Sequence, residues 1–205
     1  MEHYSFVLTV FFTLLGPIKL IASFAGLTQG ADIRFKRDVA IKGVLIASVL
    51  CLFVALAGGL FLDRYRISID AVRISGGLVL LIASLQGIFK KAQPPSPSSG
   101  TPNATQVAAS PVAIPMIVPP AGIAAILIFM MLAPQYPGME QAVAICLAIV
   151  MVLDFLVMYF IDRVMKTPGL MLVLLLLGSV LVFVQACLAI QMILNALEHL
   201  GVFKI

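Results

Sequence analysis

The chain has 205 residues, of which 62% are hydrophobic and 11% are charged, and its mean hydropathy is +1.15. A soluble protein carries about 25% charged residues, so this composition excludes a soluble domain and predicts an integral membrane protein. The formal net charge of +4 does not indicate a nucleic-acid partner, because the basic residues lie in short runs between apolar segments, as membrane topology signals do.

Six apolar stretches follow one another along the chain, and each is long enough to cross about 30 Å of hydrocarbon as a helix. We predict an all-α protein, because an open sheet edge cannot be satisfied in lipid. The predicted transmembrane helices are 4–27, 39–62, 67–89, 111–133, 139–161 and 168–197.

A polar stretch at 90–110 separates the third span from the fourth. It contains four prolines, many small polar residues and no large apolar residue before Val107, which is typical of a flexible linker. The chain is therefore predicted to consist of a three-helix unit at 1–89, a cytoplasmic linker at 90–110 and a second three-helix unit at 111–205. Because each unit has three spans, the second unit should enter the membrane inverted relative to the first.

The distribution of Lys and Arg predicts how the chain is oriented. With the N-terminus outside, the cytoplasmic segments carry seven of these residues and the outer segments carry three. The seven are Arg34, Lys36, Arg37, Lys90, Lys91, Arg163 and Lys166, and the three are Arg64, Arg66 and Lys204. Since cytoplasmic loops are enriched in positive charge, we predict a multi-pass protein of the inner (plasma) membrane with both termini outside.

Proline interrupts the first span of each predicted unit. Gly16 and Pro17 lie in the middle of the first span, and the fourth contains Pro111, Pro115, Pro119 and Pro120. Proline removes a backbone donor and clashes with the preceding turn, so both helices should break. Breaks at matching places in two inverted halves are typical of a transporter substrate site, where freed amides hold anions and freed carbonyls hold cations. Kinks that merely help helices to pack are the alternative.

Two charged residues should lie deep in the membrane, where ionisable groups usually face a partner or a cavity. Lys19 and Asp154 are each the sixteenth residue of their predicted span, and the two spans run in the same direction, so both should lie at the depth of the breaks. The predicted substrate site is Gly16, Pro17, Lys19, Pro119, Pro120, Ala121, Gly122 and Asp154. Asp154 is also the candidate carrier of a coupling proton, with a structural ion pair to Lys19 as the alternative.

The remaining polar residues of the spans have structural roles in this interpretation. Asp70 and Arg73 are three residues apart and should pair, and Lys42 should extend to the membrane interface. Amide side chains are expected to hydrogen-bond between helices, and they are Gln86, Gln185, Gln191 and Asn195. Neither a metal site nor a disulfide is expected from the three cysteines, because all of them lie in apolar stretches.

Several segments resemble the MarC family. The most specific is ISIDAVRISGG at 67–77, which is similar to the family's signature at the start of its third span. The others are LLGPIKLIASFAGLT at 14–28, SPVAIPMIVPPAG at 110–122 and AIQMILNAL at 189–197. The resemblance implies a place beside the LysE-type exporters, and a function like that of members that transport small neutral amino acids such as alanine and glycine.

The departures from the family pattern indicate a divergent member. The family's Asn-Pro pair is Gly16-Pro17 in this chain, the small residue that follows is Lys19, and the second proline is Ala22. Its Gly-Pro-Gly-Ala segment is replaced by Pro119-Pro120-Ala121-Gly122. All of these changes fall on the predicted substrate site.

A secondary transporter of a small amino acid or similar metabolite, working as importer or exporter, is the leading functional hypothesis. No nucleotide-binding fingerprint is present, so a coupling proton or sodium ion, or the substrate gradient, would supply the energy and no cofactor is expected. An enzyme is not expected, because the two histidines, His3 and His199, lie near the chain ends. The alternatives are a structural or regulatory membrane protein, an efflux protein or a channel. Lipid is an expected partner, as is a second copy of the chain in a homo-oligomer.

Overall fold

The computed structural model describes residues 2–89, 104–166 and 169–202, and these fold into helices and short connections without a strand. A change of direction at proline or glycine separates most consecutive helices. In chain order the helices are α1 (Glu2–Leu15), α2 (Pro17–Leu27), α3 (Ile33–Arg64), α4 (Ile69–Phe89), α5 (Ala104–Ile117), α6 (Pro120–Leu132), α7 (Met139–Tyr159), α8 (Ile161–Lys166) and α9 (Leu170–His199). A short 3₁₀ turn, Ala133–Gln135, follows α6.

Five stretches of the described chain are long and apolar enough to cross a membrane, and the bent pair of α5 and α6 makes a sixth. The axes of α5 and α6 differ in direction by 61°. The prediction of an all-helical membrane protein is confirmed, and the span count agrees with six when α5 and α6 are taken together. Both spans that were expected to break do so, because α1 and α2 are separated at Gly16 and α6 restarts at Pro120.

The helix boundaries correct several predicted ones. The second span, α3, begins at Ile33, six residues before the predicted start at 39. Its first turns carry charged residues, which extend the helix beyond its apolar part. The predicted linker extended to Ser110, but the chain is already helical from Ala104, so the fourth span begins seven residues earlier than expected. The rest of the predicted linker, 90–103, lies outside the described residues.

The α5 segment is regular only at its start. Its first turn, Ala104–Val107, is α-helical, and Ala108–Ile117 continues with wide, irregular turns. The backbone is extended at Ser110 and Ile114, the residues that precede Pro111 and Pro115. Proline disfavours helical dihedrals in the residue before it, so the two prolines explain both interruptions. The peptide bonds preceding them are cis.

Fully buried side chains from most of the long helices form the core at the centre of the fold. Those side chains include Phe11, Phe24, Ile117, Ile126 and Met158. Around this core, α1 and α2 pack against α7, α3 packs against α5 and α6, and α4 packs along α9. The outer face of α3 carries large exposed apolar side chains, and the residues are Leu45, Leu52, Leu56 and Leu60. A membrane protein directs such a face to lipid tails.

Polar side-chain contacts connect helix ends that are far apart in sequence. Lys36 at the start of α3 donates from Nζ to Oδ1 of Asp162 in α8 at 2.7 Å. At the other side of the bundle, Nδ1 of His199 lies 2.7 Å from Oδ2 of Asp70, which joins the end of α9 to the start of α4. The helix ends that meet are those that the predicted topology places on the same side of the membrane.

Candidate functional site

The first helix break is built around Gly16. Its backbone is extended, with φ −68° and ψ 168°, and Pro17 follows as the first residue of α2. Proline is suited to this position because its fixed φ is helical and its missing N–H would have no partner in the first turn. A Cβ atom at Gly16 would collide with the carbonyl oxygen of Phe12. The sequence therefore needs glycine here, because the chain leaves α1 tightly against the backbone of that helix's last turn.

Two side chains take up carbonyl groups left free by this break. Because Pro17 has no N–H, the carbonyl of Thr13 lacks its helical donor, and Nε2 of Gln185 on α9 donates to it at 2.6 Å. The carbonyl of Leu14 accepts a hydrogen bond from Nζ of Lys19. A cation is favoured at this position, because the C-terminal end of a helix carries partial negative charge.

Asp154 is the second charged residue of the predicted site. It lies in the last third of α7, is 0% exposed, and neither of its carboxylate oxygens has a hydrogen-bond partner in the described part of the chain. Its carboxylate lies within electrostatic range of the Lys19 ammonium on α2 and of the Cys51 side chain on α3. An unpartnered buried carboxylate is costly, so this side chain needs either a proton or a partner that the described residues do not supply.

Lys19 and Asp154 are neighbours without being a salt bridge. The ammonium of Lys19 lies within electrostatic range of the Asp154 carboxylate, whereas its only hydrogen bond within the described residues goes to the Leu14 carbonyl. The structure therefore brings the two predicted residues together but does not show the direct ion pair that was the structural alternative.

The second break has the same local form as the first. Pro119 is extended, with φ −71° and ψ 158°, and Pro120 is the first residue of α6. Of the predicted site residues there, Ala121 and Gly122 are buried, Pro119 is partly exposed and Pro120 is exposed. A Cβ atom at Gly122 would lie 2.5 Å from Cδ2 of Leu15. Gly122 therefore lets α6 approach the end of α1, so the two breaks lie side by side.

Two cavities lie between the helices of the bundle. The larger, 680 Å³, lies between α3 and α7 and includes Cys51 in its wall. The smaller, 390 Å³, lies where α1, α4, α6 and α9 meet, and Leu14 is part of its wall. Lys19 and Asp154 line neither cavity.

Other polar residues fulfil or correct their predicted roles. Arg73 Nη1 donates to Asp70 Oδ1 at 3.2 Å, as the three-residue spacing predicted. Gln185 links α9 to α1, also as predicted. Gln191 does not link helices, because its Nε2 donates to Asn195 Oδ1 on the same helix.

Two features of the site region were missed by reasoning from the sequence. Cys51 was treated only as a small core residue, and its place near Asp154 has no signal in the sequence. The contact of His199 with Asp70 could have been found, because the predicted topology already puts both on the same side of the membrane. No group of three or more His, Cys, Asp or Glu residues suited to a metal ion occurs in the part of the chain that the structure describes.

These features define a polytopic helical membrane protein with two discontinuous helices and charged groups beside the breaks. Over residues 1–200 the chain matches the MarC family of integral membrane proteins, and it belongs to that family. The resemblance found in the sequence motifs is thereby confirmed.

Curated relatives are distant, which agrees with a divergent member. The UPF0056 membrane protein MJ1677 of Methanocaldococcus jannaschii is 24% identical over 201 residues, covering 97% of each chain. The UPF0056 inner membrane protein YhgN of Escherichia coli is 27% identical over 134 residues, which is 65% of this chain and 66% of the relative. The match thus spans about two thirds of the E. coli protein's length. No solved structure matches the chain.

Proposed function

We propose that the chain is a secondary transporter of a small amino acid or a similar small metabolite, and that the substrate is held between the breaks at Gly16-Pro17 and Pro119-Gly122. The observation that carries the proposal is the buried carboxylate of Asp154, which has no hydrogen-bond partner in the described chain and lies beside a broken helix. Charged groups inside a membrane usually face a transport pathway.

The charges of this region suit a zwitterionic substrate. The Asp154 carboxylate can bind an ammonium group, a proton or a sodium ion. Lys19 holds a positive charge close to it, and α2 and α6 each begin inside the membrane with the positive end of a helix dipole. A substrate carboxylate would compete with the Leu14 carbonyl for Lys19. Binding of the substrate would thus change how the first break is capped, and this couples occupancy to helix position.

The packing pattern supports an arrangement of two inverted repeats. Exchanging the first three spans with the last three converts the contact of α1 and α2 with α7 into that of α5 and α6 with α3. The same exchange relates the contact between α2 and α9 to that between α6 and α4, and it leaves the pair α4 and α9 unchanged. Inverted repeats commonly carry a substrate site at their interface and rock about it.

We also propose the orientation that the positive charges indicate, with both termini outside and the linker 90–110 in the cytoplasm. The name of the E. coli relative includes the words inner membrane protein, which supports that membrane as the location. A reporter enzyme that works only in the cytoplasm should be active when it is inserted within 94–103. Activity of a reporter that works only in the periplasm, inserted at the same place, would contradict the orientation.

Transport assays in proteoliposomes test the proposed function directly. Purified protein is reconstituted into proteoliposomes. The uptake of each member of a panel of small amino acids and organic acids is then measured with and without proton and sodium gradients. Asp154→Asn should reduce transport about tenfold or more while the protein still folds, because the amide cannot balance a cation. Glu140→Gln is the matched control, because this carboxylate is exposed in the first turn of the same helix.

The outcomes separate the proposal from its alternatives. Equal transport by Asp154→Asn and Glu140→Gln would contradict the role of Asp154. A folded wild-type protein that moves no member of the panel in either direction would favour the structural or regulatory alternative. Uptake at rates that do not saturate with substrate would favour a channel.

A further inference from the structure

The 390 Å³ cavity between α1, α4, α6 and α9 is separate from Asp154 and has the composition of a ligand site. Its volume lies within the range of about 300–1,000 Å³ that small-molecule sites occupy. Apolar side chains form most of the wall, among them Leu80, Phe129 and Leu188. Three polar side chains also line it, and they are Arg73, Gln191 and Asn195.

Arg73 is held in place while keeping donors for a ligand. A guanidinium group has five N–H donors, and the structure's described residues take up one of them, in the bond from Nη1 to Oδ1 of Asp70 at 3.2 Å. The second oxygen of Asp70 lies 2.7 Å from Nδ1 of His199. Asp70 is buried, and its two carboxylate oxygens contact Arg73 and His199. It therefore fixes the orientation of the Arg73 guanidinium. Asp70 itself is not part of the cavity wall.

The two amides add a donor and an acceptor. Gln191 Nε2 donates to Asn195 Oδ1 at 2.6 Å, and this bond leaves the Gln191 carbonyl oxygen and the Asn195 amino group for a ligand. The cavity therefore offers N–H donors from α4 and from α9. Donors from two sides, one of them a guanidinium, are the arrangement that binds a carboxylate.

We propose that this cavity is a binding site for a small organic carboxylate, whose carboxylate group contacts Arg73 and Asn195 and whose apolar part contacts Leu80 and Leu188. The inference rests on the proposed transport function and gives the carboxylate a position on the pathway. Leu14 connects the two regions, because its side chain lines the cavity and its carbonyl accepts the hydrogen bond from Lys19. A ligand in the cavity thus lies next to the first helix break.

Protection of an introduced thiol tests the site. In a variant with Cys51, Cys146 and Cys187 replaced by alanine, Met192→Cys places a thiol in the cavity wall. The detergent-solubilised protein is labelled with a neutral maleimide in the presence of L-alanine, propionate or ethylamine. The matched control is Glu198→Cys, an exposed position on the same helix outside the cavity wall.

Propionate or alanine should slow labelling at position 192 about threefold when present at twice its Kd, and ethylamine, which lacks the carboxylate, should not. Labelling at position 198 should not change with any of the three. Protection by alanine alone identifies an amino acid as the source of the carboxylate, with the Gln191 carbonyl oxygen as the acceptor for its ammonium group. Protection by both identifies carboxylates generally.

Arg73→Lys provides the decisive variant, because it keeps the charge beside Asp70 but loses the planar fork. It should raise the concentration that gives half protection about tenfold or more. Unchanged labelling of position 192 in a protein that transports would overturn the cavity site and leave the transport function standing. Protection in a protein that transports nothing would overturn the transporter and leave the carboxylate site standing.

Discussion

The two helix breaks start from the same geometry and are stabilised differently. In each, an extended residue, Gly16 or Pro119, precedes a proline that begins the next helix. Before the first break α1 is regular, and Lys19 and Gln185 occupy carbonyl groups that the break leaves free. Before the second break α5 is irregular, and the chain bends by 61°.

The comparison teaches what proline density does to a membrane helix. A single proline removes one donor, and two side chains can compensate for the loss, so Tyr4–Leu27 still serves as one span. Two further prolines at 111 and 115 make α5 irregular at Ser110 and Ile114. The 61° bend itself follows at 118–119, between the end of α5 and the start of α6. The first break therefore places polar side chains, those of Lys19 and Gln185, at the site. The second break contributes an irregular backbone instead. The following predictions test that division.

The largest effect is expected from Gly16→Ala. Its Cβ would collide with a backbone carbonyl, that of Phe12, and backbone cannot move aside as a side chain can. The free energy of unfolding should fall by about 3 kcal/mol or more, measured by thermal unfolding in detergent. Gly26→Ala is the control, because a Cβ there meets nothing within 4 Å and alanine is a better helix former. A normal unfolding temperature for Gly16→Ala would show that the break is not constrained as described.

Gly122→Ala at the second break should have a smaller effect. The new Cβ would meet Cδ2 of Leu15 at 2.5 Å, which is the end of a flexible side chain, so we expect a loss of about 1–3 kcal/mol. The double variant Gly122→Ala with Leu15→Ala should recover part of that loss relative to Leu15→Ala alone. If the two substitutions are simply additive in thermal unfolding, the contact between the breaks does not carry the cost.

Gln185→Leu should destabilise the protein by about 0.6–2 kcal/mol, because the buried carbonyl of Thr13 then loses its donor. Gln141→Leu, at an exposed position on α7, makes the same chemical change and should be close to neutral. Both are compared by thermal unfolding in the same detergent. Equal unfolding temperatures for the two would argue that the first break does not depend on its side-chain donors.

The smallest effect is a coupling between residues 17 and 185. Pro17→Ala restores an N–H that can donate to the Thr13 carbonyl, so Gln185→Leu should cost less in that background. We expect a coupling energy of about 0.5–1 kcal/mol from a double-mutant cycle. A coupling energy of zero would mean that Gln185 stabilises the fold through other contacts.

The sequence was sufficient for the architecture because the bilayer imposes it. Apolar length predicted the spans, and proline chemistry predicted both breaks. It could not show that the helix begins at Ala104, since small polar residues are as typical of a linker as of an amphipathic helix start. The outer turns of α3 were missed for a related reason, because charged residues beyond the hydrocarbon leave no hydropathy signal.

The contacts made by the site residues were harder to predict than the residues themselves. Equal depth placed Lys19 and Asp154 together, and their charges do interact. Depth alone gives no rotation about the helix axis, however, so it could not show that Lys19 bonds to Leu14 or that Cys51 lies near Asp154. Such details depend on how neighbouring helices turn their faces toward each other, and a single sequence does not contain that information in readable form.

The bond from Lys19 to the Leu14 carbonyl also has a consequence for biosynthesis. Its two partners are five residues apart, so it can form as soon as the first span leaves the ribosome. Asp154, by contrast, lies in the fifth span and is made only after three further spans. A lysine that depended on that carboxylate would enter lipid unpaired and would have to wait for most of the chain. The Leu14 carbonyl gives the ammonium group a partner at the moment of membrane insertion. The Lys19 charge is therefore hydrogen-bonded in the bilayer before the second half of the chain is synthesised.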